Sequence, residues 1–303
     1  SRLRLGSNAG VSPDEWRSLG QVVARAGGDV FVVDSAPGDA RPAVLCLHGF
    51  PTSSWDWAEI WPALTRSRRL VAFDFRGFGF SEKPRGGRLR IRAQADLAEA
   101  VARGAGLGPY HVLAHDYGDT VAQELLAREL ERPEAERRVR SVTFLNGGLF
   151  PEAHRPRLIQ RLLASPLGPL LSRVLGKDAF ERSFSSVFGP GTKPGPEQLE
   201  RFWGLIARDG GRALFHRGIS YMAERRENRE RWVGAVVRSP CPVLLVNGSA
   251  DPASAAHMSA RYRVVAPPKD AVVELPSIGH YPQVEAPGRV VASLGPFWES
   301  VEG

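Results

Sequence analysis

The chain predicts an α/β protein built on a mostly parallel, eight-stranded sheet, flanked by helices and interrupted by one helical insertion. Three observations lead there. Short continuous apolar runs, too short for helices, alternate with segments whose apolar residues recur at helical spacing. That rhythm stops between about residues 148 and 239 and then resumes. The 303 residues, 43% hydrophobic and 24% charged, suit one large core with an insert better than two independent cores.

Taken in order, residues 28–35 (GDVFVVDS) read as an early edge strand, and 43–47 (AVLCL) and 70–75 (LVAFDF) as buried parallel strands, each followed by a glycine-bearing turn. Residues 94–107 place Leu97, Val101 and Leu107 on one helical stripe. The strand at 111–114 (HVLA) runs almost without a loop into a helix at 120–130, and 141–145 (SVTFL) is the next strand. The insert then reads as helices at 157–171, 198–208, 213–226 and 229–237, with a Pro/Gly-rich stretch at 188–196 that suits an entrance loop or a rigid surface turn. Strands return at 242–246 (PVLLV) and 271–275 (AVVEL), and a helix near 288–301 closes the chain. The expected division is a core at 1–147, a helical insert at 148–239 and the rest of the core at 240–303.

Composition narrows the function. No apolar stretch approaches the roughly 18 to 20 residues that cross a bilayer, so no membrane partner is expected, and the first ten residues lack the apolar run of a signal peptide. The formal charge of +7 comes from arginine clusters at 66–69, 137–140 and 225–231, the last broken by Glu227 and Glu230. Mixed-sign runs of that kind read as solvated helix faces, so no nucleic-acid partner is expected. Cys46 and Cys241 fall in or beside strands and read as small buried hydrophobes, consistent with a reducing cytoplasm. With no His/Cys/carboxylate cluster at ligand spacing, neither a metal nor a cofactor is expected. Monomer and homodimer both stay open.

The chemistry concentrates at four strand ends. Ala114-His115-Asp116-Tyr117-Gly118 has the strand–turn–helix context of a nucleophile elbow, with Asp116 in the exposed central place. The following helix directs free amides at that carboxylate and favours its ionised form; an aspartate there also serves as an ordinary helix N-cap. LCLHGFPTSS, residues 45–54, is a strand followed by a loop whose Phe50 amide, with that of Tyr117, suits an oxyanion hole. Asp251 (NGSADP) follows one late strand and His280 (SIGHYPQVE) the last, in the nucleophile, acid, base order of such sites. An imidazole of ordinary pKa near 6.5 takes a proton at neutral pH. Asp119 reads as a first-turn residue whose charge suits the helix start.

These motifs resemble the epoxide hydrolase and haloalkane dehalogenase branch of the α/β hydrolases from residue 28 to the C-terminus, and HDYGDTVAQELL, NGGLFPEAHRP and RERWVGAV are especially similar to an epoxide-hydrolase-like subgroup. The resemblance implies an alkyl ester on Asp116, formed by attack on saturated carbon and cleaved by water that His280, held by Asp251, activates. It also implies a cap tyrosine as acid. Tyr221 stands at the second such position, while the first is not a tyrosine, leaving His216, His154 or Tyr221 alone. Dehalogenases instead place an indole N–H directly after the nucleophile, where this chain has Tyr117. His48, Trp55, Trp203, His216 and Tyr281 are expected around a small apolar epoxide, with water as the second reactant. A haloalkane dehalogenase, or a silent receptor for a small ligand, is the rival reading.

Overall fold

The strands β1 (Gly20–Arg25), β2 (Gly28–Asp34), β3 (Ala43–Leu47), β4 (Arg69–Phe73), β5 (Tyr110–His115), β6 (Val139–Leu145), β7 (Val243–Gly248) and β8 (Ala271–Leu275) pair in one sheet in the order β1-β2-β4-β3-β5-β6-β7-β8. The structure is a computed structural model describing residues 10–25, 27–87, 89–267 and 270–303. The expectation about the first ten residues lies, apart from Gly10, outside the described residues. β2 runs antiparallel to both β1 and β4, and every other pairing is parallel. Every residue of β3, β4, β5 and β7 is buried, which explains why these strands appear as unbroken apolar runs.

The strand at 28–35 is not the edge. β1 folds back on it through the positive-φ Gly27 and Gly28, and becomes the sheet's outer strand. β1 leaves Gln21, Val22 and Ala24 exposed, so its sequence, GQVVAR, lacks the apolar signature of its neighbours. Cys46 and Cys241 are buried free thiols.

Between β6 and β7 the chain forms only helices. The helix anticipated at 157–171 is two, Leu158–Leu163 and Gly168–Val174, because Pro166 offers no amide and disfavours helical geometry at Ser165. The one anticipated at 213–226 is likewise broken into Phe215–Gly218 and Tyr221–Glu227, and Lys177–Ser185 adds an unanticipated helix. The charged run at 225–231 is solvated only in part: Arg226, Glu227 and Glu230 are exposed, and two of its arginines turn inward. Arg225 and Glu224 are buried, and Arg231 reaches the core helix Tyr117–Glu131, donating to Glu124 at 2.8 Å beside the Trp232 indole, which donates to the same carboxylate at 2.7 Å. Among the described residues no helix is long and apolar enough to cross a membrane.

Candidate active site

β5 ends at His115, and the next residue turns so sharply that Asp116 takes φ 47°, ψ −100°, a region that non-glycine residues enter only when their surroundings compel it. The compulsion is visible at Gly118. A Cβ there would lie 2.1 Å from the Leu47 carbonyl oxygen, so the helix can start this close to β3 only with glycine at that place. The Asp116 amide donates to the Leu145 carbonyl at 3.2 Å, and its Oδ2 accepts from the Phe50 amide at 3.1 Å. Tyr117 begins the helix that runs to Glu131, whose free N-terminal amides favour a negative charge on Asp116.

Asp251 and His280 meet beside this elbow. The His280 Nδ1–H donates to Asp251 Oδ2 at 2.7 Å, and Nε2 lies 4.0 Å from Asp116 Oδ1. Burial alone would lower the imidazole's pKa, but the charge and hydrogen bond of Asp251, joined by the charge of Asp116, outweigh it and raise it to about 9. Burial likewise opposes the Asp251 carboxylate; His280, the Ser254 hydroxyl and the Ala253 amide overcome it and hold the group well below the usual carboxylate range. Asn146 completes this support. At φ 44° it follows β6, donates from Nδ2 to Asp251 Oδ2 at 3.0 Å and accepts the Gly248 amide at 2.7 Å, tying the ends of β6 and β7 together.

The insert supplies the remaining groups. The Tyr221 hydroxyl donates to Asp116 Oδ1 at 3.5 Å, and burial with the facing Asp116 charge pushes its pKa far up, so it remains a neutral O–H donor. One turn along the same helix, Arg225 donates from Nη2 to the Asp116 carbonyl at 2.9 Å and from Nε to Thr120 Oγ1 at 2.6 Å. Sequence reasoning gave no role to Arg225 or to Asn146, although Asn146 opens the segment NGGLFPEAHRP; the signal for Arg225 is its place four residues after Tyr221, on the same face of a helix.

A cavity opens on Asp116, lined among others by Phe50, Leu163, Phe180, Phe184, Phe215, His280 and Tyr281. Four residues expected to line it do not. His48 sits behind the loop, its Nε2 accepting the Phe75 amide at 2.9 Å and its Nδ1–H donating to Gly49, and burial lowers its pKa to about 3. Trp55 spends its indole N–H on the Val11 carbonyl at 2.8 Å and packs edge-on to Phe202. Trp203 packs on Phe180 from outside, so the phenylalanine faces the cavity in its stead. His216 lies against Ser172, while its neighbour Phe215 takes the inward place. His154 is half-buried, its pKa lowered to about 3 by desolvation and by Arg225, and does not line the cavity either. Asp119 does stand in the first turn of the helix, but burial, then the Asp116 charge, opposes its ionisation and pushes its carboxyl well above the usual range.

The stretch at 188–196 is clamped rather than loose. Glu285 accepts the amides of Gly189 at 2.8 Å, Gly279 at 2.9 Å and Tyr281 at 2.9 Å, together with the Thr192 hydroxyl, and the His280 amide donates to the Val187 carbonyl at 2.9 Å. The insert loop and the histidine loop are thus one assembly. Among the described residues, no group of three or more His, Cys, Asp or Glu side chains is placed to hold a metal ion.

This sheet order, with an acidic elbow ending its fifth strand and a histidine after its last, defines a hydrolase, and the chain belongs to the alpha/beta hydrolase fold family, whose model matches residues 42–287. It is 39% identical over 288 residues to the mesoderm-specific transcript homolog protein of Bos taurus, covering 92% of this chain and 86% of that one. It is 41% identical over 273 residues to the putative hydrolase LipZ of Mycobacterium tuberculosis, covering 90% and 93%. Its fold is similar to that of the haloalkane dehalogenase DbeA-M1 loop variant from Bradyrhizobium elkanii, with a TM-score of 0.77, 22% identity and coverage of 93% and 97%. The resemblance seen in the motifs is borne out.

Proposed function

We propose that the protein is an epoxide hydrolase that opens a small apolar epoxide to a vicinal diol through an alkyl ester on Asp116. The observation that carries this reading is the Tyr221 hydroxyl 3.5 Å from Asp116 Oδ1, the oxygen that His280 Nε2 approaches to 4.0 Å. An Asp116 oxygen attacks a ring carbon, the C–O bond breaks, and Tyr221 gives its proton to the departing alkoxide. Ester formation cancels the Asp116 charge that helps hold the His280 proton. The imidazole therefore sheds that proton, restoring Tyr221, and becomes a base. It then takes a proton from water; the hydroxide adds to the ester carbon, and the Phe50 and Tyr117 amides hold the resulting oxyanion, which collapses by breaking the bond to the alkyl oxygen; that oxygen takes the proton of the new Asp116 carboxyl group, releasing the diol and restoring the carboxylate.

Halide displacement fits less well, because it needs N–H donors at the leaving atom. The Tyr117 hydroxyl, in the place of the expected indole, donates instead to the Leu89 carbonyl at 3.2 Å. Incubation with styrene oxide is expected to give diol, and a bromoalkane little free bromide; the opposite pattern overturns the choice. His280→Gln is expected to accumulate the ester as added mass on the Asp116 peptide, and a mere receptor gains none. Tyr221→Phe slows ester formation more than its hydrolysis; equal slowing removes its role as acid.

A further inference from the structure

The two short helices Leu158–Leu163 and Gly168–Val174 are apolar on opposite sides. Ile159, Leu163 and the adjoining Leu175 line the Asp116 cavity. On the outside, Leu158 (73% exposed), Leu162 (38%), Leu167 (59%), Leu170 (60%) and Val174 (63%) face solvent. The other large exposed hydrophobics among the described residues, Val22, Val237 and Val264, stand singly in other elements. A helix pair of an ordinary soluble domain buries one stripe and solvates the other, and a gathered apolar face marks a contact surface.

The charge on this face identifies what it meets. Between Glu152 and Asp178 the chain carries Arg155, Arg157, Arg161, Arg173 and Lys177 and no acidic residue. Arg155, Arg161 and Arg173 are exposed among the leucines. A second copy of the same face would set these cations against one another. An anionic lipid surface satisfies both features: leucines enter the boundary of headgroup and acyl chain, and guanidinium groups meet lipid phosphates.

We propose that this face docks on the surface of an anionic bilayer, putting one wall of the Asp116 cavity against lipid. The docking stands on the surface alone; that it lets an apolar epoxide enter from the lipid rests on the functional reading above. The sequence-based expectation of no membrane partner came from the lack of a spanning segment, which peripheral docking does not require.

Flotation of the purified protein with vesicles tests this, using phosphatidylcholine alone or with about a quarter phosphatidylglycerol. The protein is expected to float with the anionic vesicles, less at high salt, and weakly with phosphatidylcholine alone. Leu167→Glu/Leu170→Glu is expected to reduce partitioning at least about tenfold. Arg161→Gln/Arg173→Gln is expected to remove most of the preference for anionic lipid. Because all four side chains are exposed and none lines the cavity, both variants are expected to keep the wild-type melting curve and wild-type turnover of a water-soluble epoxide. Absence of flotation, or equal flotation of the glutamate variant, overturns the proposal. So does a concentration-dependent dimer that Leu170→Glu breaks without any vesicle binding, which assigns the face to a second copy. A protein that floats yet opens no epoxide supports the docking and overturns only the functional reading.

Discussion

Arg225 holds the Asp116 main chain from above: its guanidinium donates to the carbonyl of that residue at 2.9 Å and lies 4.4 Å from the centre of the Tyr221 ring. The insert thus positions the Tyr221 hydroxyl and braces the elbow through one helix. Arg225→Met leaves the buried Asp116 carbonyl and Thr120 hydroxyl without these donors and is expected to cost about 2–4 kcal/mol of stability. It should also slow ester formation more than hydrolysis. Arg225→Lys restores only part of both, since an ammonium lacks the planar fork that spans the two acceptors. A denaturant melt and single-turnover kinetics measure these effects, and an unchanged Met variant refutes the bracing.

Stability is expected to depend on pH through His280. Its folded pKa of about 9 exceeds the ordinary 6.5, so its pairing with Asp251 contributes fully below the lower value and is lost as pH rises through the higher one. Chemical denaturation should show a decline of roughly 3 kcal/mol across that window. Asp251→Asn should flatten this dependence. A flat wild-type profile from neutral to alkaline pH refutes the raised imidazole.

Charge cancellation at Asp116 can be imitated by mutation. Asp116→Asn removes one of the charges holding the His280 proton while keeping shape, and asparagine tolerates the positive φ. An NMR titration should place the His280 pKa of this variant below the wild-type value, and turnover should be lost. An unshifted pKa removes the step in which ester formation frees the base.

Gly118→Ala tests how tightly the elbow is built. The added methyl meets the Leu47 backbone, which has no flexible end to yield. A loss of about 3 kcal/mol or more is expected, with nucleophile geometry disturbed in whatever fraction folds. A variant as stable and active as wild type shows that the helix can shift.

Strands buried on both faces, such as β3 and β5, were legible because burial leaves a continuous apolar run, and Asp116 and Asp251 were legible because each follows one; His280 follows the half-buried β8, whose short AVVEL run is still apolar enough to read as a strand. β1 was not, since an edge strand with three exposed residues carries little apolar signal. The cavity wall was mostly illegible for a different reason. Which aromatic faces inward depends on how short helices pack: His216 and Phe215 stand side by side in the sequence without being ordered, and Phe180, which faces the cavity in front of Trp203, comes from a different helix. Arg225 lay hidden in a mixed-sign run whose pattern suits solvent, yet its partners are a backbone carbonyl and a hydroxyl, groups that leave no trace in charge pattern.

The grip of Glu285 on Gly189, Gly279 and Tyr281 has a mechanical consequence. A breathing motion of the insert on that flank cannot proceed alone, because the same carboxylate tows the segment bearing the base. Displacing Gly189 without the loop that carries His280 would require breaking these bonds, so the seating of the insert and the position of the imidazole are tied together.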